Sequence, residues 1–139
     1  MSEYVLPTGS DAAADRFAGL PDFVAGYIEA MFFTEANPDS EDLAEASLED
    51  LAPEAWDTIV ADCEAWQAEN ACLLKQAYDR DYDEEQAGRD YWFTRNGHGV
   101  GFWDRGALMA EGLGDRLSDA AGRSERYLYR GDDGLIYYA

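Results

Sequence analysis

The chain has 139 residues, enough for one domain that removes about two-thirds of its unfolded surface from water. It is 47% apolar and 14% aromatic, too much for a disordered acidic tail. Asp and Glu number 30 against 10 Lys and Arg, a formal net charge of -20, which argues against a nucleic-acid binder with a basic footprint and against a peripheral protein of anionic membranes.

Residues 1–19, with Pro7, Gly9, Ser10 and an alanine cluster, read as an irregular arm. No basic segment leads into an apolar stretch, so no secretory signal is expected, and no apolar run is long enough to span a membrane. A first helix is predicted from Pro21 or Asp22, where Pro is tolerated and Asp suits the helix dipole. Its apolar residues Phe23, Val24, Tyr27, Ile28, Met31 and Phe32 recur at helical spacing and form one broad buried stripe. Asn37-Pro38-Asp39-Ser40 stops it. Residues 39–51 are acidic, with a short helical turn at Ser47–Leu51.

The longest helix is predicted from Pro53 to about Tyr78. On a helical wheel Trp56, Ile59, Val60, Cys63 and Trp66 fall in one arc, and Glu54, Asp57, Asp62, Glu64 and Glu69 fall opposite. Cys63 and Cys72 lie nine residues apart, on opposite sides of this helix, so they are expected as two reduced thiols. With one histidine, they match no zinc pattern. Asp79–Arg89 reads as a charged connection.

The remainder reads as hairpin, helix, hairpin. Tyr91–Arg95 and Val100–Trp103 are aromatic strands around Asn96-Gly97-His98-Gly99, and Asn-Gly is a strong hairpin signal. Leu108, Leu113, Leu117, Ala120 and Ala121 suggest a helix interrupted near Gly112 and Gly114. Tyr127–Arg130 and Leu135–Tyr138 then flank Gly131-Asp132-Asp133-Gly134 as a second hairpin. The expected fold is a single α+β domain over 1–139. It comprises an arm (1–19), an acidic helical part (20–90) and a hairpin–helix–hairpin part (91–139), with the acidic helices packed on a small antiparallel sheet.

The segments Trp92–Gly106 (WFTRNGHGVGFWDRG) and Tyr129–Tyr137 (YRGDDGLIY) resemble small phage-encoded and mobile-element proteins. The resemblance covers roughly the C-terminal third. It implies a phage or plasmid context and carries no particular activity.

Charge is unevenly distributed. Residues 1–90 hold 23 Asp/Glu and 4 Lys/Arg, a net of -19, whereas residues 91–139 hold 7 and 6, a net of -1. Residues 17–74 contain 14 Asp/Glu and no Lys, Arg or His. Such a block attracts cationic partners through a field that salt screens. Carboxylates one helical turn apart stand about 5.4 Å from each other, and DNA carries one charge per roughly 1.7 Å of duplex axis.

A rigid carboxylate surface therefore suits a groove built for phosphates, and the charge profile is similar to that of DNA-mimic anti-CRISPR and antirestriction proteins. The expected role is a non-enzymatic inhibitor of a host DNA-binding defence protein, a CRISPR effector or restriction enzyme, in the bacterial cytoplasm. It would bind a basic protein surface, with no nucleic acid, membrane or cofactor of its own. The expected contacts are Glu41, Asp42, Glu45, Glu49, Asp50, Glu54, Asp57, Asp62, Glu64 and Glu69.

Two alternatives stand beside this one: a salt-adapted or generic acidic interaction protein without mimicry, and a small enzyme. Salt adaptation also loads surfaces with acids and depletes lysine, and the chain has a single Lys, Lys75, against nine Arg. It should, however, spread acids over every surface. A small enzyme would use His98, near Arg95, Asp104 and Arg105, as general base, although no nucleophile partner is identified. Asp79, Asp81, Asp83 and Asp90 have the outline of a calcium loop, but Glu84 stands at the glycine position and Asp90 at the bidentate Glu position, so a solvated acidic linker is the better reading. Gly97, Gly99 and Gly101 do not form a phosphate loop, since no helix and no Lys follow.

Overall fold

A computed structural model describes residues 4–36 and 40–139. Among them the elements are α1 (Asp11–Ala18), α2 (Asp22–Glu35), α3 (Pro53–Glu69), α4 (Ala71–Tyr78), α5 (Glu84–Arg95), α6 (Leu113–Ala121), β1 (Leu128–Arg130) and β2 (Ile136–Tyr138). Short 3-10 turns cover 48–50, 102–104, 106–108 and 110–112. The architecture is mostly helical with a two-stranded antiparallel sheet at the C-terminal end.

The centre of the fold is the crossing of α2 and α5. Gly26 and Gly88 face each other's helices: a Cβ on Gly26 would stand 2.0 Å from the Glu85 carbonyl oxygen, and one on Gly88 only 1.9 Å from that of Phe23. Backbone therefore meets backbone, and the flanking side chains interlock. Tyr27 packs against Tyr91 and Trp92, each at 5.4 Å between ring centroids. Trp66 of α3 enters beside them, stacked on Tyr91 at 4.3 Å and on Phe102 at 5.6 Å. Buried residues from Ala13 to Tyr138 join one hydrophobic cluster, so both halves of the chain share a core.

The stripe expected on α2 is buried as read, and α3 begins at Pro53 as expected. The expected stop at Asn37-Pro38-Asp39 lies outside the described residues. The arm is partly helical. Ser10 caps α1 by accepting from the Ala13 N–H at 3.2 Å, and the carbonyls of Pro7 and Thr8 pin the turn at 48–50 by accepting from Leu48 and Glu49. The long helix is divided at Asn70, whose φ of -120° breaks the helical path while its side-chain amide donates to the Trp66 carbonyl at 2.9 Å.

The largest correction concerns the first expected hairpin. Residues 91–95 are the last turns of α5, and 102–104 form a 3-10 turn. Asp83 caps α5 by accepting from the Gln86 N–H at 2.7 Å, Glu84 and Glu85 fill the first turn, and Arg95 the last. Ala87, Gly88, Tyr91, Trp92 and Arg95 are buried at helical spacing, so packing on α2 overrides the strand preference of the aromatics. Asn96-Gly97 ends a helix instead of turning a hairpin. The Gly97 N–H donates to the Thr94 carbonyl at 3.2 Å and the His98 N–H to that of Phe93 at 2.9 Å, which is the Schellman arrangement. Gly97 has the left-handed φ of 70° that this ending requires.

The second hairpin forms as read, with Tyr129 opposite Tyr137. It docks on the helical half through β2: the Ala52 N–H donates to the Ile136 carbonyl at 2.9 Å beside a parallel bridge from Leu51 to Ile136. No helix among the described residues is long and apolar enough to cross a membrane. The α2–α5 contact leaves no room for a methyl group, and each partner atom is main-chain. Gly26→Ala and Gly88→Ala should therefore each lower stability by about 3 kcal/mol through overpacking, read from urea denaturation.

Candidate functional site

The acidic face is carried by the segment before α3 and by α3 itself. Glu41, Asp42, Glu45 and Glu49 are exposed around the 3-10 turn, and Glu54, Asp57, Glu64 and Glu69 are exposed along α3. Only Asp57 among these eight has an ion-pair partner among the described residues, Arg16 at 3.3 Å.

Two of the ten expected contacts belong to the interior. Asp50 is half-buried and closes a capping box, accepting from the Ser47 N–H at 3.1 Å. Asp62 lies one turn before the buried Trp66 and turns inward. It pairs with Arg95 at 2.8 Å and with Arg126 at 3.7 Å, and accepts from the Tyr138 hydroxyl.

Arg95 is 3% exposed and fully engaged. Besides Asp62, it donates to the Ser124 carbonyl at 3.0 Å, to the Ser124 hydroxyl at 2.9 Å and to the Tyr27 hydroxyl at 3.3 Å. Its guanidinium lies 4.7 Å from the centre of the Tyr91 ring. Burial works to lower its pKa, but Tyr27, Tyr91, Asp62 and Tyr138 together raise it. A second node centres on the wholly buried Asp90. Its oxygens accept from the Arg105 guanidinium at 2.7–3.1 Å, from the Tyr82 hydroxyl at 2.6 Å and from the Gln86 side-chain amide at 3.1 Å.

Sequence reasoning missed both nodes. The available signal was a charged residue, Asp90, beside an aromatic run, because a charge placed in a core needs a partner.

The calcium outline is dispersed by the same packing. Asp83 caps α5, Asp79 ends α4 beside Lys75 at 3.5 Å, and Asp90 faces Arg105. No group of three or more His, Cys, Asp or Glu among the described residues is placed to hold a metal ion. His98 is the residue that completes the end of α5, with its ring edge-on to Phe93 at 5.8 Å. It also borders a cavity of about 410 Å³ with Thr94, Trp103, Ser118 and Arg123.

The ion pairs reveal a division of labour. Eight of the ten basic side chains sit in ion pairs, and Arg130 is held by the carbonyls of Asp42 and Gly134. Among the described residues the same pairs occupy only eight of 28 acids. Most cations are paired within the protein, and most carboxylates among the described residues are not.

No family model matches the chain, and no curated protein or solved structure shows significant similarity to it.

Removing the Asp62 carboxylate strands a buried guanidinium. Asp62→Ala should therefore cost about 3–5 kcal/mol in chemical denaturation. Burial, reinforced by the neighbouring phenol or carboxylate, also holds Tyr27, Tyr82 and Tyr138 well above their ordinary 10.0, and burial does the same for Tyr91. A raised phenol pKa means that the folded state favours the proton. The stabilisation is therefore complete below 10.0 and is lost as the pH rises above it. In an alkaline absorbance titration these four phenols should ionise together with loss of near-ultraviolet dichroism. Ionisation in an intact fold would contradict the assignment.

Proposed function

We propose that the protein is an acidic inhibitor of a host DNA-binding defence protein, of CRISPR-effector or restriction-enzyme type, and that it acts by nucleic-acid mimicry. The observation that carries this reading is the segregation of charge. Of the ten candidate carboxylates, the exposed Glu41, Asp42, Glu45, Glu49, Glu54, Glu64 and Glu69 have no ion-pair partner among the described residues, while eight of the ten cations are paired with other acids. Glu54, Asp57, Glu64 and Glu69 run along a helix whose buried face is fixed by Trp56, Ile59, Cys63 and Trp66. Their positions are therefore pre-organised, and arginines or lysines meeting them form charge-assisted hydrogen bonds with little reordering. The resemblance of 92–106 and 129–137 to phage and mobile-element proteins supports a target in host defence.

Salt adaptation is the competing reading, favoured by the single lysine. Charge reversal separates the two. Glu45, Glu64 and Glu69 are exposed and have no ion-pair partner among the described residues, and Glu69 ends α3, where a cation suits the helix dipole. Replacing all three with Lys should leave folding nearly unchanged. Affinity for the isolated target should fall by several kcal/mol as like charges meet, and binding of the unaltered protein should weaken with salt and yield to duplex DNA. Unchanged inhibition with altered unfolding in high salt would instead favour salt adaptation.

A further inference from the structure

The C-terminal hairpin turns one face inward and one outward. Leu128, Ile136 and Tyr138 supply the buried face. On the other face stand Tyr127 and Tyr129, 56% and 45% exposed, and the half-buried Tyr137. Tyr127 and Tyr129 approach at 6.1 Å between centroids, and Tyr129 stacks on Tyr137 at 5.7 Å and 25°. Neither Tyr127 nor Tyr129 joins the hydrophobic cluster or its packed margin. The three rings form an aromatic ladder in which Tyr137 rests against the core and Tyr127 and Tyr129 stand outside it.

Carboxylates frame this ladder. The Tyr137 hydroxyl donates to Asp133 at 2.5 Å, and Asp132 is exposed beside it. Glu54 is exposed in the first turn of α3, two residues after Ala52, whose N–H bonds to Ile136 of β2. The nearby cation on β1, Arg130, is held by two backbone carbonyls at 3.0 and 2.7 Å. Tyrosine faces carry negative potential, and their stacking with a planar guanidinium is reinforced by adjacent carboxylates. Tyr and Arg are also the residues that dominate the energetics of protein interfaces.

We propose that the face formed by Tyr127, Tyr129 and Tyr137, together with Glu54, is the docking point for arginine side chains of the basic protein partner. This rests on the mimicry reading and adds to it a preference that bulk charge does not supply: arginine over lysine.

The test uses the full chain with two probes, an arginine nonapeptide and a lysine nonapeptide, titrated by calorimetry at matched ionic strength. The unaltered protein should bind the arginine peptide more tightly. The double variant Tyr127→Ala/Tyr129→Ala should lose about tenfold for arginine and far less for lysine. Tyr127→Phe/Tyr129→Phe, which keeps the rings, should retain the preference. Circular dichroism should show all variants folded, since Tyr137 and its bond to Asp133 are untouched.

Equal losses for both peptides, no loss, or no arginine preference in the unaltered protein would overturn the proposal. So would sedimentation showing self-association that the alanine variant abolishes, which would assign the face to a second copy of the chain. Mimicry fails separately, if the triple Lys reversal leaves target binding intact or DNA does not compete.

Discussion

The contact between Gly26 and Gly88 is the constraint on which the rest of the structure depends. Two helices that touch main chain to main chain cannot slide or rotate without collision, because no flexible side chain lies between them. Their crossing sets Phe23 and Tyr27 against Tyr91 and Trp92, and that aromatic group receives Trp66 from α3. One turn after Tyr91, Arg95 arrives beside the Tyr27 hydroxyl and meets Asp62 across the gap. Tyr138 closes the same node from β2. A packing event between two helices thus determines where the interior charges must stand, and through them where the hairpin docks.

The interior ion pairs are better understood as specifying arrangement than as a net source of stability. Withdrawing two charges from water costs several kcal/mol per ion, which their attraction offsets only in good geometry. Here the geometry is good: Asp90 receives donors from Arg105, Tyr82 and Gln86, and Arg95 spends its donors on Asp62, Tyr27 and Ser124. A misplaced α5 would leave these groups unsatisfied. With eight of the ten basic residues in ion pairs, most of the net charge of -20 is carried by carboxylates that have no ion-pair partner among the described residues.

The legible parts of the fold were those where one local signal and the packing agreed. The stripe of α2, the proline start of α3 and the Gly-Asp-Asp-Gly hairpin are of this kind. α5 was obscured because two signals pointed elsewhere: Tyr91-Trp92-Phe93 favours strands, and Asn96-Gly97 favours turns. A helix end uses the positive φ that glycine tolerates as readily as a hairpin does, and Gly97 supplies it here. Asp83-Glu84-Glu85-Gln86 announced the start of the helix. At the candidate site, eight carboxylates are exposed as the wheel and composition implied. Asp50 and Asp62 are not, because a local cap claims one and a buried arginine from a distant segment claims the other. No helical wheel contains that second fact.

The two thiols differ in a way that follows from the same packing. Cys63 lies on the buried face of α3, where burial raises its pKa well above the ordinary value and Asp62 adds to the effect. Cys72 is exposed on α4, beyond the break at Asn70. Nucleophilic sulfur chemistry requires an accessible thiolate. In the native state, then, an electrophile or oxidant encounters a monothiol protein, and a second equivalent of reactivity emerges only when the core opens.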